Sequence, residues 1–278
     1  MLSEADKERL RQFGPQLFGP VARRLISSDK WTDQYPAGRV FARELDALLY
    51  FADEQGCRLR FLPRLESMDT QRDEALSELR VAYMLHHYGF SVKQWDPPGL
   101  GGKVGEYLVG TPEGLSVFVE VKSPGWESEL SGAEKSAGRD KQPKYIGLEG
   151  RAVGNWKPLQ YCIESKAYNK FSPTQPNLLV VADDLKTPLS DSLDHVEIAL
   201  YEDHARYGVS GLFTSAQFEN LGGVGVFNFY SEGRGVQYEF TLFENPFALA
   251  TTKLPDSFSK FKTKTIGVVR ATVFDTIY

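Results

Sequence analysis

Cysteine is scarce in this 278-residue chain: Cys57 and Cys162 are the only two, and they are far apart. That excludes a disulfide framework and the paired spacings of a zinc knuckle. Long apolar runs are missing as well. The longest purely aliphatic stretch, Leu178 to Ala182, falls far short of the ~20 residues of a membrane-spanning helix. No apolar signal segment opens the chain, where Glu4, Asp6, Lys7, Glu8 and Arg9 crowd together, so a cytoplasmic location with no membrane partner is expected. Positive charge is not in excess: 32 Lys and Arg against 37 Asp and Glu leave a formal net charge of −5. A uniformly basic surface is thereby excluded. Nucleic acid is not, because binding depends on where the charge sits. What is present, 41% hydrophobic and 25% charged residues, is close to the average for folded proteins and excludes wholesale disorder and fibrous states.

The charge is segregated along the chain. Between Lys135 and Lys170 stand eight basic residues (Lys135, Arg139, Lys141, Lys144, Arg151, Lys157, Lys166 and Lys170) against Asp140, Glu149 and Glu164. From Asp183 to Tyr207 the balance reverses, with seven acids against Lys186 and Arg206. Two solvated faces of opposite sign account for this, and so does a basic surface for an anionic partner.

Hydrophobic periodicity divides the chain into a helical region over residues 1–66, a core over 67–250 and an extension over 251–278. Phe13 to Ile26 and Val40 to Ala52 repeat apolar residues at helical intervals and hold no obvious chemistry. A further helical segment follows Pro63, and Asp69 offers an N-cap for a helix running to about Tyr88, stopped by Gly89. Three strand-like runs come next: Phe90 to Trp95, Val104 to Gly110 and Leu115 to Lys122. The polar stretch 123–154 is expected to be a long insertion. Then follow a helix (Trp156 to Phe171), a strand apolar on both faces (Asn177 to Ala182), a helix around Leu189 to Ala205, and two strands (Val224 to Tyr230, Val236 to Phe243). The expected fold class is α/β, a mixed central sheet flanked by helices.

The most informative stretch is Val104 to Lys122. In Thr111-Pro112-Glu113-Gly114-Leu115, proline suits the second position of a type I turn and glycine the left-handed residue after it, which specifies a three-residue hairpin loop with a bulge. The register that follows sets Leu108 opposite Phe118 and Glu106 opposite Glu120, with Lys122 projecting from the same face. Two carboxylates facing each other ~5 Å apart repel. A divalent cation relieves that, and hard oxygen ligands suit magnesium or manganese. Solvated edge-strand charges with Lys122 as a salt-bridge partner are the plainer reading. Glu78, in the helix before the strands, shares its row with Ala75, Ala82 and Leu85, beside the apolar stripe rather than on a wet face that suits Arg72, Asp73 and Arg80. A half-buried carboxylate there needs a partner, either the other two acids or a nearby arginine.

The helix with Glu78, then Gly89-Phe90-Ser91-Val92, then Glu106 in Val104-Gly105-Glu106-Tyr107-Leu108-Val109, then Phe118-Val119-Glu120-Val121-Lys122, resembles the PD-(D/E)xK nuclease superfamily over roughly Asp69 to Ala182. The resemblance implies a restriction-endonuclease-like core in the order αβββαβ and a metal-dependent nuclease hydrolysing DNA. It implies Mg²⁺ or Mn²⁺ on Glu106 and Glu120, and Lys122 positioning or activating water. It further implies Glu78 binding a second metal or ordering water, and Lys166 as a polar residue of the following helix, with Lys170 the weaker match. Lys135, Arg139, Lys141, Lys144, Arg151 and Lys170 would then contact the phosphate backbone. The chain departs from the pattern at Gly105-Glu106, where the superfamily normally has Asp, often after Pro; the extra methylene moves the carboxylate outward. Asp96 in Asp96-Pro97-Pro98 is the fallback acid. The departure favours the alternative of a catalytically degenerate, nuclease-like module that binds nucleic acid or a protein partner. A carboxylate pair at ~5 Å also suits a retaining glycosidase, but no aromatic sugar platform lies near it.

Remaining candidates are weaker. His86 and His87 are adjacent and so diverge on a helix; capping its C-terminus is their expected role. Gly222-Gly223-Val224-Gly225 precedes a strand-like run, not the helix that a phosphate-cradling loop requires. His195 and His204 receive no role.

Overall fold

The structure is a computed structural model that describes residues 38–66, 70–122, 156–182, 194–201, 210–214, 216–232, 235–261 and 267–272. Among the described residues three helices come first: α1 (Gly38–Glu54), α2 (Arg58–Glu66) and α3 (Thr70–His87). Strands β1 (Ser91–Trp95), β2 (Tyr107–Gly110) and β3 (Ser116–Lys122) follow, then α4 (Trp156–Tyr161) and β4 (Asn177–Ala182). Beyond them lie α5 (Asp194–Tyr201), β5 (Gly223–Glu232), β6 (Gly235–Glu244) and β7 (Gly267–Thr272). The expected order of helix, three strands, helix and strand is present. The expected Phe13 to Ile26 helix, the Asp69 cap and the 123–154 insertion lie outside the described residues.

The seven strands of the described residues form one mixed sheet in sequence order. β1, β2 and β3 are antiparallel, β3, β4 and β5 run parallel, and β6 and β7 are again antiparallel. Parallel neighbours need crossovers, and parallel strands are covered on both faces. β4 meets that demand, since every residue from Asn177 to Ala182 is buried. Side-chain alternation sorts the strands into two layers. Val117, Val119, Val121, Leu178 and Val180 pack with α1, α2 and α3 on one face, whereas Phe118, Leu179, Val181 and Val226 pack with Leu159, Ile163, Val196 and Leu200 on the other.

Two expectations need correction, and one segment gains a place. Pro63 does not precede a separate helix; it lies inside α2, and Phe61 and Leu65, both fully buried, hold the two sides of it onto the core. Arg72, Asp73 and Arg80 do not sit on a wet face of α3 but are buried. The cause is tertiary, because α1 and α2 pack along α3 while the sheet lies beneath it. Finally, the segment after Lys253, unplaced by its sequence, seats Phe258 and Phe261 in the main core and supplies β7 as a partner of β6. No described helix is long and apolar enough to cross a membrane.

Candidate active site

The β2–β3 hairpin sets the site. Its loop closes as the turn residues require: Thr111 N–H donates to Leu115 O, Gly114 N–H donates to Thr111 O, both at 2.9 Å, and Gly114 takes φ +85°. Leu108 pairs with Phe118 and Tyr107 with Val119. The same register carried one residue further sets Glu106, just ahead of β2, across from Glu120. Lys122 Nζ lies 3.0 Å from Glu106 Oε1 and 2.7 Å from Glu120 Oε1. The hairpin therefore gathers the three residues as its turn chemistry predicts.

The backbone at Glu106 is clamped. Asp96 N–H donates to Glu106 O at 3.1 Å, and Gly105 N–H donates to Pro97 O at 3.0 Å. Position 105 must be glycine because a Cβ there would stand 2.1 Å from Phe118 Cζ, and Phe118 is fully buried with nowhere to move. Gly105→Ala is expected to destabilise the fold by about 1–3 kcal/mol, the usual range for overpacking. An unchanged urea midpoint would show that the Phe118 ring yields freely.

Glu120 is completely buried. Its Oε1 accepts from Lys122 and, at 2.5 Å, from Lys170, but its Oε2 has no partner among the described residues. Burial pushes the Glu120 carboxyl up from its ordinary value, and the neighbouring Glu106 charge adds to this against the pull of Lys122. Burial also raises Glu106, yet Lys122, Arg60 and Lys170 outweigh it, and that carboxyl falls below its ordinary value. For Lys122, burial acts downward but the two carboxylates dominate, so the ammonium keeps its proton well beyond the usual range. At neutral pH the centre is an ammonium held between two acids.

Two arginines of α2 complete the cluster, and the sequence reading missed both. Arg64 donates to Glu78 Oε1 at 2.6 Å and Oε2 at 2.7 Å. Arg60 donates to Glu78 at 2.8 Å, to Glu106 Oε2 at 3.1 Å, and through Nε and a terminal nitrogen to Asp96 at 2.7–3.0 Å. Their signal was present in Arg58-Leu59-Arg60-Phe61-Leu62-Pro63-Arg64-Leu65: two arginines four apart share a helix face. Glu78 is buried beside the apolar stripe as its spacing predicts, but its oxygens serve guanidinium groups, the arginine-paired option. Burial raises its carboxyl against the pull of Arg64. Asp96, the fallback acid, is likewise on Arg60. Among the described residues no group of three His, Cys, Asp or Glu is arranged to hold a metal ion. A cleft of about 420 Å³ opens beside Arg60, Arg64, Glu78, Glu106 and Lys122.

The helix after the hairpin delivers Lys170, the weaker match of the sequence pattern, to Glu120. The expected Trp156 to Phe171 helix runs as α4, then as a π turn over Cys162–Ala167 and a 3₁₀ turn over Tyr168–Lys170. Each change of winding shifts the phase of the side chains, so a count at 3.6 residues per turn misplaces those beyond residue 161. Lys170 is the residue on Glu120; the side chain of Lys166 lies outside the described residues. So do Lys135, Arg139, Lys141, Lys144 and Arg151. Comparisons with protein-family models, with curated proteins and with solved structures give no match for this chain.

Proposed function

We propose that the chain is a metal-dependent nuclease that hydrolyses DNA phosphodiester bonds at Glu106, Glu120 and Lys122, in a fold of the restriction-endonuclease-like kind. One observation carries the reading: a fully buried carboxylate, Glu120, keeps one oxygen without a partner beside a second acid that shares the same lysine. Buried polar oxygens are ordinarily satisfied by protein, water or an ion, and Glu120 Oε2 is open to such a partner. Carboxylate oxygens are the donors that Mg²⁺ and Mn²⁺ prefer, so the residues fit such an ion, with Glu106 and Glu120 holding it.

When bound, the ion supplies Lewis-acid polarisation of a phosphoryl oxygen and a more acidic water. The chain's own residues do the rest. Lys122 stays charged and presents an ammonium donor where negative charge grows on the phosphoryl group, which is worth most in a site shielded from water. Lys170 neutralises Glu120 from the helix side. Arg60 and Arg64 keep Glu78 from adding its charge to the pair, so Glu78 orders the surroundings of the centre. Lys135, Arg139, Lys141, Lys144, Arg151 and Lys170 are proposed as contacts to the phosphate backbone, positioning the strand without reading its bases, and Lys166 as the polar residue that the following helix adds to the centre.

A second reading, a catalytically degenerate module that binds nucleic acid or a protein, is favoured by one feature: Arg60, Lys122 and Lys170 already offset Glu106 and Glu120. Supercoiled plasmid separates the two. The nuclease nicks or linearises it with Mg²⁺ or Mn²⁺ and is silent in chelator. Retained DNA binding with no cleavage and no calorimetric uptake of either ion leaves the module.

A further inference from the structure

Glu106 carries one methylene more than the aspartate this position would normally hold, and therefore one more freely turning bond. Both of its oxygens are nevertheless engaged, Oε1 by Lys122 and Oε2 by Arg60. A carboxylate accepts about four hydrogen bonds, so room for a cation remains on each oxygen. Arg60 is itself immobilised. Asp96 receives its Nε and one terminal nitrogen, Glu78 receives the other, and the guanidinium carbon lies 4.8 Å from the Phe61 ring centre and 5.4 Å from that of Trp95. Asp96 is held in turn by the backbone of the residue being positioned, since its N–H donates to Glu106 O at 3.1 Å. The contacts close a ring from Glu106 carboxylate to Arg60, to Asp96 carboxylate, through the Asp96 backbone and back to Glu106.

Asp96 has φ +53° and is the one non-glycine residue with positive φ among the described residues. Such a backbone costs a residue with a side chain free energy and persists where its surroundings impose it. Its carboxylate is half exposed, with 52% of the side chain open to solvent, and an ion pair at such a site contributes little to folding. What the carboxylate does achieve is to fix the fork of Arg60.

We infer that Arg60, braced by Asp96, is the positioning residue for Glu106: it turns the longer glutamate into a fixed ligand in the place of an aspartate. The inference rests on the nuclease reading above. Partners that orient a metal ligand typically change affinity 10- to 100-fold when removed. Mn²⁺ titrated calorimetrically into the full chain provides the test. Asp96→Asn, which tolerates the left-handed backbone but loses the charged brace, is expected to bind Mn²⁺ about 10- to 100-fold more weakly than wild type with its thermal midpoint nearly unchanged. Arg60→Lys loses at least as much, because a single ammonium cannot span Asp96 and Glu106 as a guanidinium fork does. Should Asp96→Asn fail to fold, Asp96→Gly, which relaxes the backbone while removing the carboxylate, carries the same comparison. A folded Asp96 variant with wild-type Mn²⁺ affinity overturns the inference and leaves the nuclease reading standing. A wild-type chain that takes up no Mn²⁺ overturns both.

Discussion

Lys122→Ala is expected to slow plasmid cleavage by at least about 100-fold, the usual consequence of removing one donor aimed at developing negative charge, while the chain stays folded. Survival of the fold follows from the redundancy of the cluster. Without Lys122, Glu120 still has Lys170 and Glu106 still has Arg60, so neither acid is stranded. The cost to stability should be about 1.5–3 kcal/mol, that of a hydrogen bond to a charged group, read from a urea midpoint beside the cleavage rate. Circular dichroism should be superimposable on that of wild type. The pH response should move too. Lys122 is the main charge that lowers Glu106 and opposes the burial of Glu120, so its loss raises both carboxyls. Glu106 now lies below its ordinary value, and its contribution to stability is present above that value and fades as pH falls through the lowered one. In the variant that contribution should vanish at higher pH. Cleavage undiminished in Lys122→Ala would remove the lysine from the chemistry.

Glu44→Ala should be the most destabilising single substitution away from the site, by about 3–5 kcal/mol. Arg80 donates to both Glu44 oxygens at 2.7 Å, Tyr238 O–H donates to Oε1 at 2.7 Å, and the Arg80 guanidinium lies 3.6 Å from the Phe229 ring centre. Glu44 and Arg80 are each about 1% exposed. Truncating the acid removes the carboxylate to which Arg80 and Tyr238 donate in the core, and breaking a buried pair from one side costs more than the pair itself is worth. Replacing both partners by apolar residues of similar volume should therefore recover most of the loss. Thermal or urea unfolding of Glu44→Met, Arg80→Met and the double variant, beside Glu44→Ala, makes the comparison; simple additivity of the two single effects would show that the residues act independently. These four side chains come from α1, α3, β5 and β6, so the variant also reports whether the helices before residue 67 and the sheet unfold as one unit.

The local parts of this architecture were legible because short-range chemistry decides them. The Pro112–Gly114 loop admits one hairpin register, and that register alone brings Glu106, Glu120 and Lys122 to one place. Asn177 to Ala182 is apolar at nearly every position, the mark of a strand buried on both faces, and it emerged with the bounds expected. Glu78 announced its burial by lying among alanine and leucine. What misled was each inference that required knowledge of the neighbours. Arg72 and Arg80 look like surface residues until α1 and α2 are laid along α3. Lys170 looks the weaker match until the fold sets its ammonium on Glu120.

The sequence by itself determined the order of elements from α3 to β6, the hairpin and the gathering of its two acids with one lysine, since these depend on local pattern and on turn and side-chain geometry. Tertiary structure alone decided who else is present. Arg60 and Arg64 come from a helix with no evident chemistry, and Lys170 arrives from beyond the hairpin. Whether Glu78 meets a metal ion or a guanidinium depends on how α2 packs against α3. Charge partners in a folded chain are chosen by proximity in space, and burial makes that choice strong. The pattern of one segment does not disclose it.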